Sequence, residues 1–280
     1  MLALLLTTIA SFGLIALAFV PLERAFPARP GQPVLRPALL VDACFFLGQY
    51  LVWSAVALSL LLSARSLLGA HVPHGLREGI AASPLWMRAI LAVALGDMLV
   101  YWFHRACHTF EPLWLFHAVH HSSEHLDFVA AHREHPVDGI LTQLCVNLPA
   151  FIMGFPLEVI GPFLAFRGMW ALFIHSNVSL PLGPIRVLFG APELHHWHHA
   201  RGPQTHHNFS NLAPWVDLLF GTYARPRGPE TYPLGINETW PKGYLAQLAH
   251  PFVELARRVA GRAWQRSAPG SMPASAPADL

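Results

Sequence analysis

Three long apolar runs occupy the first hundred residues and predict the architecture. Met1 to Val20 carries no charged side chain, and about 20 apolar residues in a helix are enough to cross a bilayer core. A signal peptide would need a basic leading segment and a small-residue cleavage site, whereas this run is followed by PLERAF, so a retained anchor is expected. Leu39 to Leu62 is a second span with Asp42 near its start, and Leu85 to Phe103 is a third that delivers the chain to His104. Between Gly139 and His175 a further apolar stretch is interrupted by Pro149, Pro156 and Pro162. Proline removes a helix hydrogen bond, so this stretch predicts two short segments forming a hairpin. A hairpin returns His175 to the face on which the third span ends.

The expected fold is therefore all-α: a polytopic membrane helical protein with three spans (1–20, 39–62, 85–103), a hairpin at 139–175 and a cap formed by 104–138 and 176–262. Residues 1–262 are expected to form one domain. From about Ala263 the chain turns to Ser, Ala, Pro and Gly and predicts a disordered tail over 263–280.

Composition supports this: 54% of residues are apolar and 12% charged, and the mean hydropathy is +0.40, outside ordinary soluble usage. Arg24, Arg29 and Arg36 mark the first loop as cytoplasmic, although Arg65, Arg77 and Arg88 flank the opposite loop. Three spans then place His104 in the cytoplasm as well. A net charge of +2, without a basic run interleaved with aromatics, points away from nucleic acid. Cys44, Cys107 and Cys145 are isolated and odd in number, which argues against both a disulfide framework and a thiolate metal site.

The candidate chemistry lies in the histidines. Fifteen of eighteen fall between His104 and His207, grouped as HRACH at 104–108, HAVHH at 117–121 and HHWHH at 195–199. Residues three and four apart share a helix face, so each group is expected to converge on its own point. Packing that many imidazoles together without a metal would crowd polar groups that each need a partner. A closed zinc site takes about four ligands, whereas eight or more histidines suit two ions with room for an exogenous ligand. Imidazole serves zinc, copper, iron and nickel alike, so ligand type does not select the metal. His71, His74 and His250 stand apart and are read as surface or core residues.

Asp97, Tyr101, His104 and His108 share one helical face. Asp97 lies about two turns inside the membrane, where an ionisable group is costly; it is either a carboxylate orienting a ligand imidazole or a polar contact between helices. Arg167, two turns before His175, meets a carboxylate or a lipid head group, or snorkels to the interface; snorkelling is the favoured reading.

These motifs together, D-x3-YW-x-HR-x2-H, H-x2-HH, HREHP, FIHSN, a second H-x2-HH and NFSNLAPWVDLLFGT, resemble the fatty acid hydroxylase and sterol desaturase superfamily of integral membrane di-iron oxygenases, from about Asp97 to Tyr223. The resemblance implies that His104, His108, His117, His120, His121, His195, His198 and His199 are metal ligands and that His175 is an additional one. It makes His135 a further ligand or a supporting group. Two departures stand out: THHNFSN replaces the family's acidic residue before an NYG-like element, and Ser179 stands four places after His175, where some members repeat a histidine. His135, His196 and His206 are the nearest candidates to supply a missing ligand, and His207 lies beside them.

The implied function is a lipid hydroxylase or desaturase that uses O2 and two iron ions, with zinc possible in isolated protein, on a fatty acyl or sterol-like substrate. With no dinucleotide, flavin, haem or iron–sulfur motif in the chain, electrons are expected from a separate cytochrome, ferredoxin or reductase. Trp215 and Asp217 are read as stabilising the cap. Two other classes compete: a di-zinc membrane hydrolase, for which Glu124, Glu134 and Asp138 are the loosely placed carboxylates, and a non-enzymatic metal-binding or transport protein.

Overall fold

The computed structural model describes residues 2–155 and 157–260; the expected tail at 263–280 and Pro156 lie outside them. The described residues are helical, with no strand among them beyond two isolated bridges. Helix α1 (Leu2–Ala25) is the first apolar run. Helix α2 (Leu39–Gly48) passes through a π-helical turn (Gln49–Trp53) into α3 (Ser54–Gly69). Together they form one apolar rod of 31 residues, longer than the expected 39–62 because Ser63 to Gly69 continue in helical conformation. After the short α4 (His74–Ala82), α5 (Leu85–Thr109) carries the third run past Phe103, so His104 and His108 belong to the spanning helix itself.

These three rods are long and apolar enough to cross a membrane. Their side chains behave accordingly: Leu14, Leu17, Leu40, Trp86 and Ile90 are more than 60% exposed, an apolar surface that a lipid phase covers.

The expected hairpin is present as α7 (Pro136–Ile152) and α8 (Leu157–His175), which follow α6 (Glu111–His121). Pro149 and Pro162 are accommodated inside their helices. The break falls instead at Gly154, which adopts φ 77°. There Phe155 N–H donates to Ala150 O at 3.1 Å and Gly154 N–H to Phe151 O at 3.1 Å, the paired bonds that close a helix at a left-handed residue. Helix α7 packs between α3 and α5. At Gly96 the contact is so close that a Cβ would stand 2.4 Å from Val146 O.

The cap is built from α6, α9 (Ile185–Leu188), α10 (Pro192–His198), α11 (Trp215–Leu219) and α12 (Tyr244–Val259). A buried ion-pair network ties it to the first loop: Arg36 contacts Asp42 at 2.7 Å and Asp127 at 2.5 Å, and Arg133 contacts Asp42 at 2.5 Å. Arg29 Nη2 also reaches Tyr232 O at 2.8 Å. The first loop therefore shares a side with the histidines, in line with the arginine pattern. An apolar cluster of Leu61, Ile80, Ala150, Phe151 and Phe155 closes the opposite end.

Candidate metal centre

Nine imidazoles assemble where α5, α6, α8 and α10 end. They form two adjacent groups, His104, His108, His117, His121 and His198 in one and His120, His175, His195 and His199 in the other, with the candidate ligand atoms of each group within 4.8 Å of one another. Each H-x2-HH box is thus split between groups, where the sequence pattern alone suggested convergence on one point per box. The reason is helical: residues four apart, His117 with His121 and His195 with His199, lie about 40° apart around the axis and stay together. His120 and His198, the middle members, are rotated about 60° or 100° from their neighbours and serve the other group.

Six of the nine rings are oriented by a hydrogen bond at Nδ1. His104 reaches Phe209 O at 2.7 Å, His198 reaches His207 O at 2.7 Å, His120 reaches Arg133 O at 3.0 Å and His175 reaches Ala171 O at 2.6 Å. His117 Nδ1 meets Asp138 Oδ2 at 2.8 Å, and His108 Nδ1 meets Thr205 Oγ1 at 3.0 Å.

A neutral imidazole that donates from Nδ1 offers only a lone pair at Nε2. Yet His104 and His198 bring their Nε2 atoms to 3.0 Å, as do His120 and His175. His195, whose Nδ1 has no partner, brings its Nε2 to 2.8 Å from that of His175 and 3.1 Å from that of His199, and the conflict rests on the two pairs with both Nδ1 atoms held. Two lone pairs cannot hydrogen-bond to each other, and protonation is opposed: burial first, then the neighbouring imidazoles, holds His120, His121, His195, His198 and His199 well below the ordinary histidine range. A cation between the lone pairs resolves the conflict, and an all-nitrogen donor set fits iron, zinc, copper or nickel.

The THHNFSN segment contributes main chain rather than ligand side chains. Asn208 sits at φ 57°, a conformation asparagine tolerates, and the carbonyls of its two neighbours, His207 and Phe209, orient His198 and His104. Asp217 fixes this segment, its carboxylate accepting from Phe209 N at 2.8 Å, Ser210 N at 2.9 Å and Thr222 Oγ1 at 2.7 Å. Its expected role in the cap is thereby specified, whereas Trp215 is 37% exposed.

Other candidates fall outside both groups. His135 donates from Nε2 to Leu248 O at 3.0 Å and accepts Val137 N–H on Nδ1 at 3.1 Å, which leaves no lone pair for a metal. His196 turns to Glu230, with Nδ1 2.7 Å from Oε2. His206 is exposed, its ring 6.1 Å from that of His108, and His207 acts through its carbonyl. Asp97 orients no imidazole; it pairs with Arg167, so the interhelical alternative describes it, and Arg167 is buried in that pair rather than snorkelling. The carboxylate that orients a grouped imidazole is Asp138, in the first turn of α7, which the sequence pattern left unplaced. His71 and His74 are exposed, and His250 packs on Trp240 at 4.5 Å.

A cavity of about 310 Å³ opens beside the groups, its walls including His104, His120, His175 and His195 and running down between α3, α5, α7 and α8. A larger cavity of about 470 Å³ lies away from the histidines, between α1 and the first loop.

Residues 89–222 match the family described as fatty acid hydroxylase. Over this segment the chain is similar to the fatty acid hydroxylase family. The family segment begins inside α5 and ends just after α11, enclosing all nine grouped histidines. Among its relatives, the ornithine lipid hydroxylase OlsE of Rhizobium tropici is 35% identical over 180 residues, which cover 62% of this chain and 53% of that protein. The alkylglycerol monooxygenase of Danio rerio is 31% identical over 166 residues, 57% of this chain and 36% of that one. A putative Delta(7)-sterol-C5(6)-desaturase 2 of Arabidopsis thaliana is 28% identical over 149 residues, 50% and 51% of the two chains. The chain thus spans about half the length of the first of these relatives and about a third of the second. No solved structure matches it.

Proposed function

We propose that this protein is a membrane-bound di-iron oxygenase that hydroxylates or desaturates a C–H bond of a lipid, using O2 and electrons from a separate donor protein. The observation that carries the reading is the pairing of Nε2 lone pairs at 3.0 Å, His104 with His198 in one group and His120 with His175 in the other, all four rings having Nδ1 committed to a main-chain carbonyl. The nine histidines named above are the proposed ligands, five for one ion and four for the other. Iron held there would supply O2 activation strong enough to take hydrogen from an unactivated C–H bond, with the protein providing orientation and electrostatics.

The chain's own carbonyls hold His104, His120, His175 and His198 in one tautomer, and its helices keep the groups buried and leave a cavity reaching from them into the apolar helices. A relative is named a hydroxylase of an ornithine lipid, others are named monooxygenases of alkylglycerols, and another a sterol desaturase; these names support a lipid substrate. The arginines of the first loop support a cytoplasmic position for the histidine face, where a soluble cytochrome, ferredoxin or reductase has access.

A di-zinc hydrolase is less well supported because, among the described residues, neither group includes a carboxylate. Purified protein is expected to hold about two iron ions per chain and to couple O2 uptake to a lipid mass change of plus one oxygen or minus two hydrogens. Hydrolysis by a zinc-loaded protein that consumes no O2 would refute the proposal.

A further inference from the structure

Arg167, Ala171 and His175 stand four residues apart on α8 and line the same cavity. At 1.5 Å per residue, the backbone of Arg167 lies about 12 Å below that of His175 along the helix. One nitrogen of the guanidinium, Nη2, pairs with Asp97 on α5. The other, Nη1, is buried without a partner. A donor left unsatisfied in an apolar setting is costly, and on a cavity wall the missing acceptor is one that a bound molecule supplies.

The neighbouring polar groups do not offer the same opening. Asn147 Nδ2 donates to Gln143 O and Oε1, both at 2.9 Å, and Gln49 Oε1 faces His132 Nδ1 at 2.9 Å. Asn211 Oδ1 and His132 Nε2 also lack partners, but both are acceptors. Setting aside the candidate ligand His195, Arg167 Nη1 is the buried donor without a partner on this wall among the described residues.

The charge balance selects the acceptor. Asp97 is fully buried and neutralises Arg167, so the pair is neutral as a unit. A carboxylate added beside it would leave a net negative charge in the membrane interior, an expensive arrangement. A neutral carbonyl oxygen satisfies the donor and leaves the charge balanced.

Building on the oxygenase reading, we propose that Arg167 anchors the neutral carbonyl oxygen of an ester or amide lipid at the inner end of the cavity, holding a more distant carbon of that lipid against the histidine groups. The anchor would determine both substrate class and the distance between carbonyl and oxidised carbon.

The test is a binding measurement on full-length protein in detergent, by displacement of a fluorescent fatty-acyl probe with methyl palmitate, palmitate or hexadecane. The ester is expected to compete about tenfold better than the alkane, the scale of one hydrogen bond to a charged group, and better than the carboxylate. Asp97→Asn leaves Arg167 uncompensated and should reverse the order of palmitate and its ester. The double variant Asp97→Asn with Arg167→Met leaves no buried charge unpaired and should bring ester and alkane to equal affinity.

Equal binding of ester and alkane by the unaltered protein, an ester preference that persists in the double variant, or an unchanged order in Asp97→Asn would each overturn the anchor. Should the double variant not fold, the Asp97→Asn order decides. The oxygenase reading fails separately: absent iron and O2 uptake with ester selectivity intact would refute that reading and leave the binding site standing.

Discussion

At the scale of single residues, the site depends on which nitrogen of each imidazole is occupied. His120 illustrates the whole arrangement: Arg133 O holds its Nδ1, burial keeps it neutral, and its Nε2 faces His175. His120→Ala is expected to abolish activity and to reduce bound metal from about two ions to about one by elemental analysis, while His71→Ala, at an exposed position, retains both. Equal losses in the two variants would indicate general damage to folding. Asp138→Asn makes a finer distinction. The amide can still accept from His117 Nδ1 but without charge, so metal affinity is expected to fall about 10- to 100-fold in a chelator competition, with the far-ultraviolet circular dichroism unchanged. Asp138 was unremarkable in the sequence because it lies 21 positions from the ring it orients, and nothing in the local pattern marks that pairing.

At the scale of elements, helix periodicity explains both what the pattern conveyed and where it misled. Three apolar runs became three rods, and the interrupted run became a hairpin. The stop came at Gly154 rather than at Pro149 or Pro162 because its left-handed conformation closes the last turn of α7. The histidine boxes are read differently once helices face one another, since rings one position apart point to different partners. The close packing of α5 on α7 holds His104 and His108 in place relative to Asp138. Gly96→Val is expected to lower thermal stability in detergent by about 1–3 kcal/mol, because the new side chain meets Val146 backbone. Gly13→Ala, where nothing lies within 4 Å, should leave the melting temperature unchanged or raise it slightly. Similar melting temperatures for the two variants would contradict the described α5–α7 contact.

At the scale of the whole molecule, the rods and hairpin place the metal centre at one end of a lipid-covered bundle and the α3–α4–α7 apolar cluster at the other. This arrangement gives a direct topological prediction. Thiols introduced at the exposed positions Gly31 and Gly228 should behave alike toward a membrane-impermeant maleimide, and one at Gly75 should behave oppositely. If the histidine face is cytoplasmic, only position 75 labels in intact cells; labelling of 31 and 228 there would reverse the orientation, and labelling of all three would contradict the crossing number.

The sequence by itself determined the helical class, the three apolar rods, the hairpin and the chemical type of the site, because hydrophobic period and histidine spacing are local properties of the chain. Only the tertiary structure decided that nine rings divide five and four, that His135 and His196 turn to other partners, and that Asp97 meets Arg167 beside the cavity. These outcomes depend on how helices distant in sequence face one another, and on main-chain carbonyls that every residue possesses but only folding can aim.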